Sequence, residues 1–425
     1  MDKYYQFGKN KLGPLLLGYS KWLYENFRKE HIDKVYFFSR DGYLMKQAFD
    51  LLYKENTDIK TYYLEVSRRS LRVPILWKNY SLENLLTMLS PSMLIPVISI
   101  FDAVGLNASD YQKLLHKYGF DLHTTFYRKD LLSNSNLMEM YSELSQAIEK
   151  KSLSEFENLK EYLKEKNIGG KFAIVDIGWS GGMQRFLQTT LAEIGIEADI
   201  YGYYTGVASY YKRNLTDTNT TLNMHGYLFD FMHNPTDKDC RNCFVGLYEM
   251  LFLETKGSVE KYKRDEDGNV FAQRYPYEYC IEGQMLPEVK CIRNVQKGAL
   301  DYVGFNRQKN VEKKDKLQQC QELLKEGQNP SFETLKLFAD FRFFDEGEYY
   351  NLAKPKSLLY YLFHPTIFKI DFLKSRWKTG FLKRLLVLPL PYYQIYKFLK
   401  KNLLAEFKNR LKISIFLWRK SCASR

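Results

Sequence analysis

The 425-residue chain has no run of about 18 uncharged apolar residues, so none of its helices is expected to span a bilayer. Its opening, MDKYYQFGKNKLG, is polar where a secretory signal needs an apolar core, which predicts a cytosolic chain with reduced thiols. Histidine and cysteine are scarce, six of each. No HExxH pair, G-x-S-x-G elbow or Cys–His pairing can be drawn from them, which removes the common zinc-protease, serine-hydrolase and thiol-protease signatures. The cysteines fall late, at Cys240, Cys243, Cys280, Cys291, Cys320 and Cys422. The lone C-x2-C in DCRNC lacks the second pair that a structural zinc site normally needs. A Walker A loop and a G-x-G-x-x-G fingerprint are also missing, as are internal repeats and low-complexity stretches.

The net charge of +13 is concentrated at one end. From Asp371 to Arg425 there are fourteen Lys and Arg against two acids, which leaves only +1 for the first 370 residues. A nearly neutral body with a basic tail argues against nucleic-acid binding across the fold and for a local electrostatic anchor. In the tail, Tyr392, Ile395, Tyr396, Leu399, Leu403, Phe407 and Leu411 share one helical face, and Lys397, Lys401, Lys408 and Lys412 share another. That pattern predicts an in-plane helix on an anionic membrane surface, peripheral to the inner face of the cell membrane.

Along the chain, residues 13–32 have helical spacing and lead into the strand VYFFS. A helix from about Tyr43 to Lys54 and the strand TYYLEV follow, a strand–helix–strand unit that should form a parallel crossover. Residues 82–167 read as a helical insertion, after which FAIVDIG, the helix GGMQRFLQTTLAEIG, and the strands ADIYGYYTGV and TLNMHGYLFDF resume the sheet. GSVEKYKRDEDGNVFAQRY reads as a hairpin, and 287–354 as helical. The expected architecture is an α/β core with a doubly wound, mostly parallel sheet over residues 1–230. A mixed, mainly helical part follows over 231–365, and the basic amphipathic tail over 366–425.

Chemistry is expected where strands end, because open α/β sheets bind ligands beyond their carboxyl edges. The first strand ends in SRDG, the second in SRRS and the third in VDIGWSGG. Arg40, Arg68 and Arg69 supply guanidinium forks for phosphate or carboxylate, with Gly42 and Ser67 beside them. Gly178, Trp179, Ser180 and Gly181 form a Gly-rich turn whose amides can cradle an anion, with Gln184 one helical turn on. Asp176 is the candidate hydroxyl or metal ligand or base, and Asp41 a second catalytic candidate or a helix cap. Glu249 and Glu254 lie in an apolar segment, where one of them is expected to face Arg40, Arg68 or Arg69 or to serve as an acid–base group; Glu249 and His225 are the acid–base candidates. The ligand these residues suit is a phosphorylated or nucleotide-linked sugar, and Mg2+ would accompany such a donor.

FFSRDGYLMK, YLEVSRRSLRVP and VDIGWSGGMQ, in that order, resemble a bacterial family labelled as predicted hydrolases of the haloacid dehalogenase superfamily and encoded in surface-polysaccharide clusters. The resemblance covers roughly residues 10–350. Members of that family carry an Asp-x-Asp nucleophile motif, whereas IVDIG has Ile177 and Gly178 after Asp176, and no strand here ends in Asp-x-Asp. The resemblance therefore implies a role in capsule or related glycan assembly, next to lipid-linked glycan, by glycosyl or phosphoryl transfer. A non-catalytic scaffold and a dehalogenase-related phosphatase or phosphotransferase are the alternatives. The strand–Asp–Gly-turn–helix order is also similar to the phosphoribosyltransferase loop, a likeness at the level of fold.

Overall fold

The computed structural model describes residues 2–55, 57–89, 94–215, 221–308, 316–345 and 347–401. The chain divides into two compact units. Met1–Asp239 with Phe252–Gln319 form one, and Cys240–Leu251 with Cys320–Arg425 form the other. The division does not fall at residue 230, because the segment from Phe252 to Gln319 belongs with the sheet.

In the first unit, Pro14 opens helix α1 (Gly13–Lys29), and strand β1 (Lys34–Phe38) follows. Helix α2 (Gly42–Tyr53) then leads to β2 (Lys60–Leu64) and the short helix α3 (Arg68–Arg72). The insertion is helical, as its spacing predicts, apart from a small antiparallel strand pair, Leu94–Pro96 with Thr125–Tyr127. Its last and longest helix, α4 (Ser145–Glu165), returns the chain to β3 (Gly170–Trp179). Helix α5 (Gly182–Glu193), β4 (Ala198–Val207) and β5 (Asn223–Gly226) complete the sheet. Gly195, at φ 73°, turns the chain just past α5, and the amide of Ile196 reaches back to the carbonyl of Leu191.

The strand order is β2-β1-β3-β4-β5 and every pairing is parallel. The chain moves outward from β1 to β2 and then returns to the other side of β1, so a topological switch point lies between β1 and β3. Burial on both faces explains why these strands read as apolar and aromatic runs. On one face Phe27 of α1 packs edge-on against Tyr203 at 5.1 Å, and Phe49 of α2 meets Phe37. On the other, Tyr36, Phe38, Phe172 and Ile174 join Leu159 and Tyr162 of α4 and Phe186, Leu187 and Leu191 of α5 in one core.

An antiparallel hairpin, β6 (Val259–Arg264) and β7 (Val270–Arg274), and helix α6 (Pro287–Phe305) complete this unit. In the second unit the carbonyl of Gly327 accepts hydrogen bonds from Trp377 Nε1 at 2.9 Å and Thr379 Oγ1 at 2.6 Å. The stretch expected to be helical to 354 instead contains a hairpin, Arg342–Asp345 with Glu348–Asn351. Its turn uses Gly347 at φ 86°, and the flanking aromatics favour strand over helix.

Among the described residues, no helix is long and apolar enough to cross a membrane. Within the basic tail, 392–401 is helical with Lys397 and Lys401 exposed. Tyr392 and Tyr396, however, are buried within their own unit, and the Tyr396 hydroxyl donates to Asn242 at 2.6 Å. These two residues are therefore not presented outward as the amphipathic reading expects. Leu403, Phe407, Lys408, Leu411 and Lys412 lie outside the described residues.

Candidate anion-binding site

At the switch point, Phe37 is level with Val175, which puts Phe38 level with Asp176 and brings the ends of β1 and β3 side by side. Ser39 Oγ donates to the Val66 carbonyl at 2.6 Å and accepts from the Val66 amide at 3.0 Å, so β1 and β2 end together. All three strand-end motifs consequently meet one edge of the sheet. The neighbours each side chain finds there decide which can take a ligand.

Arg40 pairs with Glu278. Burial works against its charge, but the Glu278 carboxylate outweighs it and lifts its pKa. Arg69 makes a two-pronged pair with Glu155, at 2.8 and 2.9 Å, and also donates to the Glu260 carbonyl. Ser67 is a helix cap: its Oγ accepts from the Ser70 amide at 3.0 Å and donates to the Val259 carbonyl at 2.6 Å. Arg40, Arg69 and Ser67 therefore hold the edge together, and the Arg40 and Arg69 forks are engaged by carboxylates of the protein. Gly42 is required by packing, since a Cβ there would lie 3.1 Å from Phe37 and 3.2 Å from the Val175 carbonyl. Asp41 precedes α2 in a helical conformation and makes no side-chain cap.

Three arginines remain. Arg68 is exposed and forms no ion pair or hydrogen bond with the described residues. Arg72 is buried, donates from Nε to the Ala103 carbonyl at 3.0 Å, and has no carboxylate partner among the described residues. Burial pushes its pKa down to about 9, and repulsion from Arg68 and Arg69 adds to this, against the opposing pull of Asp102 and Tyr275. Arg213 follows β4 and lies over the Tyr210 ring, with Nη2 3.4 Å from Ser180 Oγ and a buried Nε that has no partner. Burial lowers its pKa too, and the charge of Arg68 adds to that. Arg68 is thus in electrostatic reach of both Arg72 and Arg213, and α3 packs directly on α5. The sequence reading missed Arg72 and Arg213. Arg72 lies in the SRRSLR segment, where its i, i+4 spacing from Arg68 was the available signal.

The Gly-rich turn leads into α5 beside this cluster. Gly178 (φ 106°), Trp179 (φ 95°) and Gly181 (φ 74°) all have left-handed backbone, and Trp179 stacks on Phe229. At Gly178 a Cβ would lie 2.6 Å from Tyr204 Cβ and 2.7 Å from the Gly206 carbonyl, so only glycine fits. Ser180 is held by Asn214, whose Nδ2 donates to the Ser180 carbonyl at 2.7 Å. Asp176 is buried in register with Tyr204. Desolvation holds the Tyr204 hydroxyl's pKa well above its ordinary value, and the charge of Asp176 contributes. Gln184 is not a ligand group. Completely buried, it donates to the carbonyls of Ile200 and Asn223 and accepts from the Tyr204 hydroxyl at 2.8 Å.

The remaining candidates lie elsewhere. His225 stacks on Tyr203, on the α1 face of the sheet, whereas Tyr204 and the arginines belong to the α5 face. Glu249 belongs to the second unit, on helix Val245–Leu251. Glu254 accepts from Tyr63 at 2.6 Å and Arg274 at 2.9 Å, not from Arg40, Arg68 or Arg69. Mg2+ favours several oxygen ligands, and Asp176 offers one carboxylate. Among the described residues, no group of three metal-binding side chains occurs at this edge. The chemistry on offer is electrostatic: the partly desolvated Arg213 guanidinium beside Ser180 of a turn rich in backbone amides, with Arg68 in electrostatic reach of both Arg213 and Arg72. Comparison with known protein families and with curated proteins finds no match to this chain.

Proposed function

We propose that this chain binds the phosphate or diphosphate of a nucleotide-linked or phosphorylated sugar at the carboxyl edge of its sheet. In this reading it acts in surface-polysaccharide assembly, transferring a glycosyl or phosphoryl group. The observation that carries the reading is the trio Arg68, Arg72 and Arg213, which gather at a strand edge and form no ion pair with a carboxylate among the described residues. An anion of charge −2 or so would relieve their mutual repulsion, and charge-assisted bonds to guanidinium are among the strongest in proteins. The same groups would stabilise charge growing on a departing diphosphate. Asp176, beside the turn, would accept a hydrogen bond from a sugar hydroxyl. The link to glycan assembly rests on the family resemblance of the three strand-end motifs.

The second reading, a binding module without catalysis, is favoured by the single buried aspartate at the edge and by the place of His225 on the opposite, α1 face of the sheet. Thermal denaturation with a panel of nucleotide sugars, sugar phosphates and inorganic diphosphate tests the ligand class. A lack of stabilisation by any phosphorylated compound would refute it. Asp176→Asn separates the two readings: a transferase loses glycan production while retaining ligand-induced stabilisation, and a binding module keeps both.

Peripheral attachment to an anionic membrane is supported by the second unit, where Leu359, Leu362, Phe363, Val387 and Phe398 are 61–76% exposed alongside exposed lysines.

A further inference from the structure

His225 closes β5, and the chain then turns through Asp230 to His233, so that H-x4-D-x2-H returns three side chains to one point. Their ligand atoms all lie within 4.8 Å of one another. The two imidazoles stack 5.0 Å apart with planes 4° from parallel, and His233 Nδ1 is 2.9 Å from Asp230 Oδ2. The backbone holds Asp230 in place. Its Oδ2 accepts from the Gly226 amide at 2.9 Å, and its Oδ1 accepts from the amides of Met232 at 3.1 Å and His233 at 3.2 Å. Its own amide donates to Asp237 Oδ2 at 2.7 Å, so the carboxylate is oriented before any ion arrives. The Tyr203 ring covers the far side of His225, and its hydroxyl is buried without a partner. His233 is half exposed, which leaves a path to solvent.

We propose that His225, Asp230 and His233 form a binding site for a divalent transition-metal ion, preferentially Zn2+, with one coordination position open to water. Two imidazoles and a carboxylate suit Zn2+, Co2+ or Ni2+ and do not suit Mg2+ or Ca2+, which prefer oxygen ligands throughout. Zn2+ would replace the His233–Asp230 hydrogen bond with two metal bonds and clip the 226–233 turn to the end of β5. The amide bonds to Asp230 would serve as its outer shell. Because the site lies on the α1 face, it is independent of the arginine edge and would act on the stability of the turn or on a small ligand at the open position.

The test is titration of the full chain, stripped with chelator, with Zn2+ by calorimetry and with Co2+ by visible absorption. One ion per chain, a Co2+ spectrum of nitrogen and oxygen ligation, and a higher melting temperature are expected. His225→Gln and His233→Gln should each weaken Zn2+ binding about tenfold or more, while melting like the wild-type chain in chelator. Absence of binding, a thiolate-to-Co2+ charge-transfer band from the cysteines, or unchanged affinity in both variants would each overturn the assignment.

Discussion

Arg72→Met should make the ligand-free protein more stable and weaken its binding of diphosphate. Arg72 is 8% exposed, and its surroundings push its pKa from the ordinary arginine value down to about 9. At about 1.36 kcal/mol per pH unit, holding the charge in the folded chain costs on the order of 4–5 kcal/mol. Methionine keeps an apolar stem of similar length and removes that cost. It also deletes the bond to the Ala103 carbonyl, and the unpaired acceptor costs about 1–3 kcal/mol. A net gain of about 2 kcal/mol follows, a rise of a few degrees in melting temperature on the order expected for a domain of this size. The pH dependence has a definite sign. A cation whose folded pKa is lowered binds its proton better when unfolded, so the penalty is complete below about pH 9 and fades as pH climbs from there toward the unfolded value. The advantage of the variant should therefore be flat through neutral pH and shrink in alkali. Added diphosphate should raise the melting temperature of the wild-type chain and leave that of the variant unmoved. A variant less stable than the wild type at neutral pH, or one that diphosphate stabilises equally, would refute the reasoning.

Arg68→Ala and Arg213→Ala should each weaken diphosphate binding about 10- to 100-fold in calorimetry, the worth of one charged hydrogen bond. Neither should lower the melting temperature appreciably, because neither guanidinium has a carboxylate partner among the described residues. Gln184→Leu should destabilise the chain by about 2–4 kcal/mol in denaturant titration, since it strands the Ile200 and Asn223 carbonyls and the Tyr204 hydroxyl together. Diphosphate affinity of the folded variant should be unchanged, and a large loss of affinity would return Gln184 to the site. Replacing Leu362 and Phe363 by aspartate should reduce co-sedimentation with vesicles containing anionic phospholipid; unchanged sedimentation would remove this surface from the membrane reading.

The strands and helices that build the sheet were legible because each repeats one kind of environment. VYFF and FAIV are uniformly apolar because both faces of the sheet are covered, and α5 carries one buried stripe. The β1–β3 switch point was not legible, because the order of elements along the chain leaves open which strand pairs with the far side of β1. The hairpin at 342–351 was not legible, because FRFFD and EYYN surround a turn whose only marker is Gly347. The hairpin β6–β7 and helix α6 were visible as elements, but their membership of the sheet-bearing unit depends on contacts between residues far apart in sequence.

The same distinction separates the arginines. Arg40, Arg68 and Arg69 look alike in sequence because each follows a strand, and residue type states only what charge arrives at the edge. Whether that charge is available depends on which acid meets it. Glu155 reaches Arg69 across 86 residues and Glu278 reaches Arg40 across 238. Neither pairing leaves a local trace. The availability of Arg68, Arg72 and Arg213 is likewise a property of the three-dimensional edge, since no described carboxylate comes within ion-pairing distance of any of them. An edge that neutralises two arginines with acids and leaves three without is hard to account for by stability alone. Arg72 in particular lowers the stability of the empty protein, and a buried, unneutralised cation is expected where binding an anion returns that free energy. The preference for a phosphorylated ligand thus rests on the cost of keeping Arg72, and measuring that cost is the most direct way to weigh it.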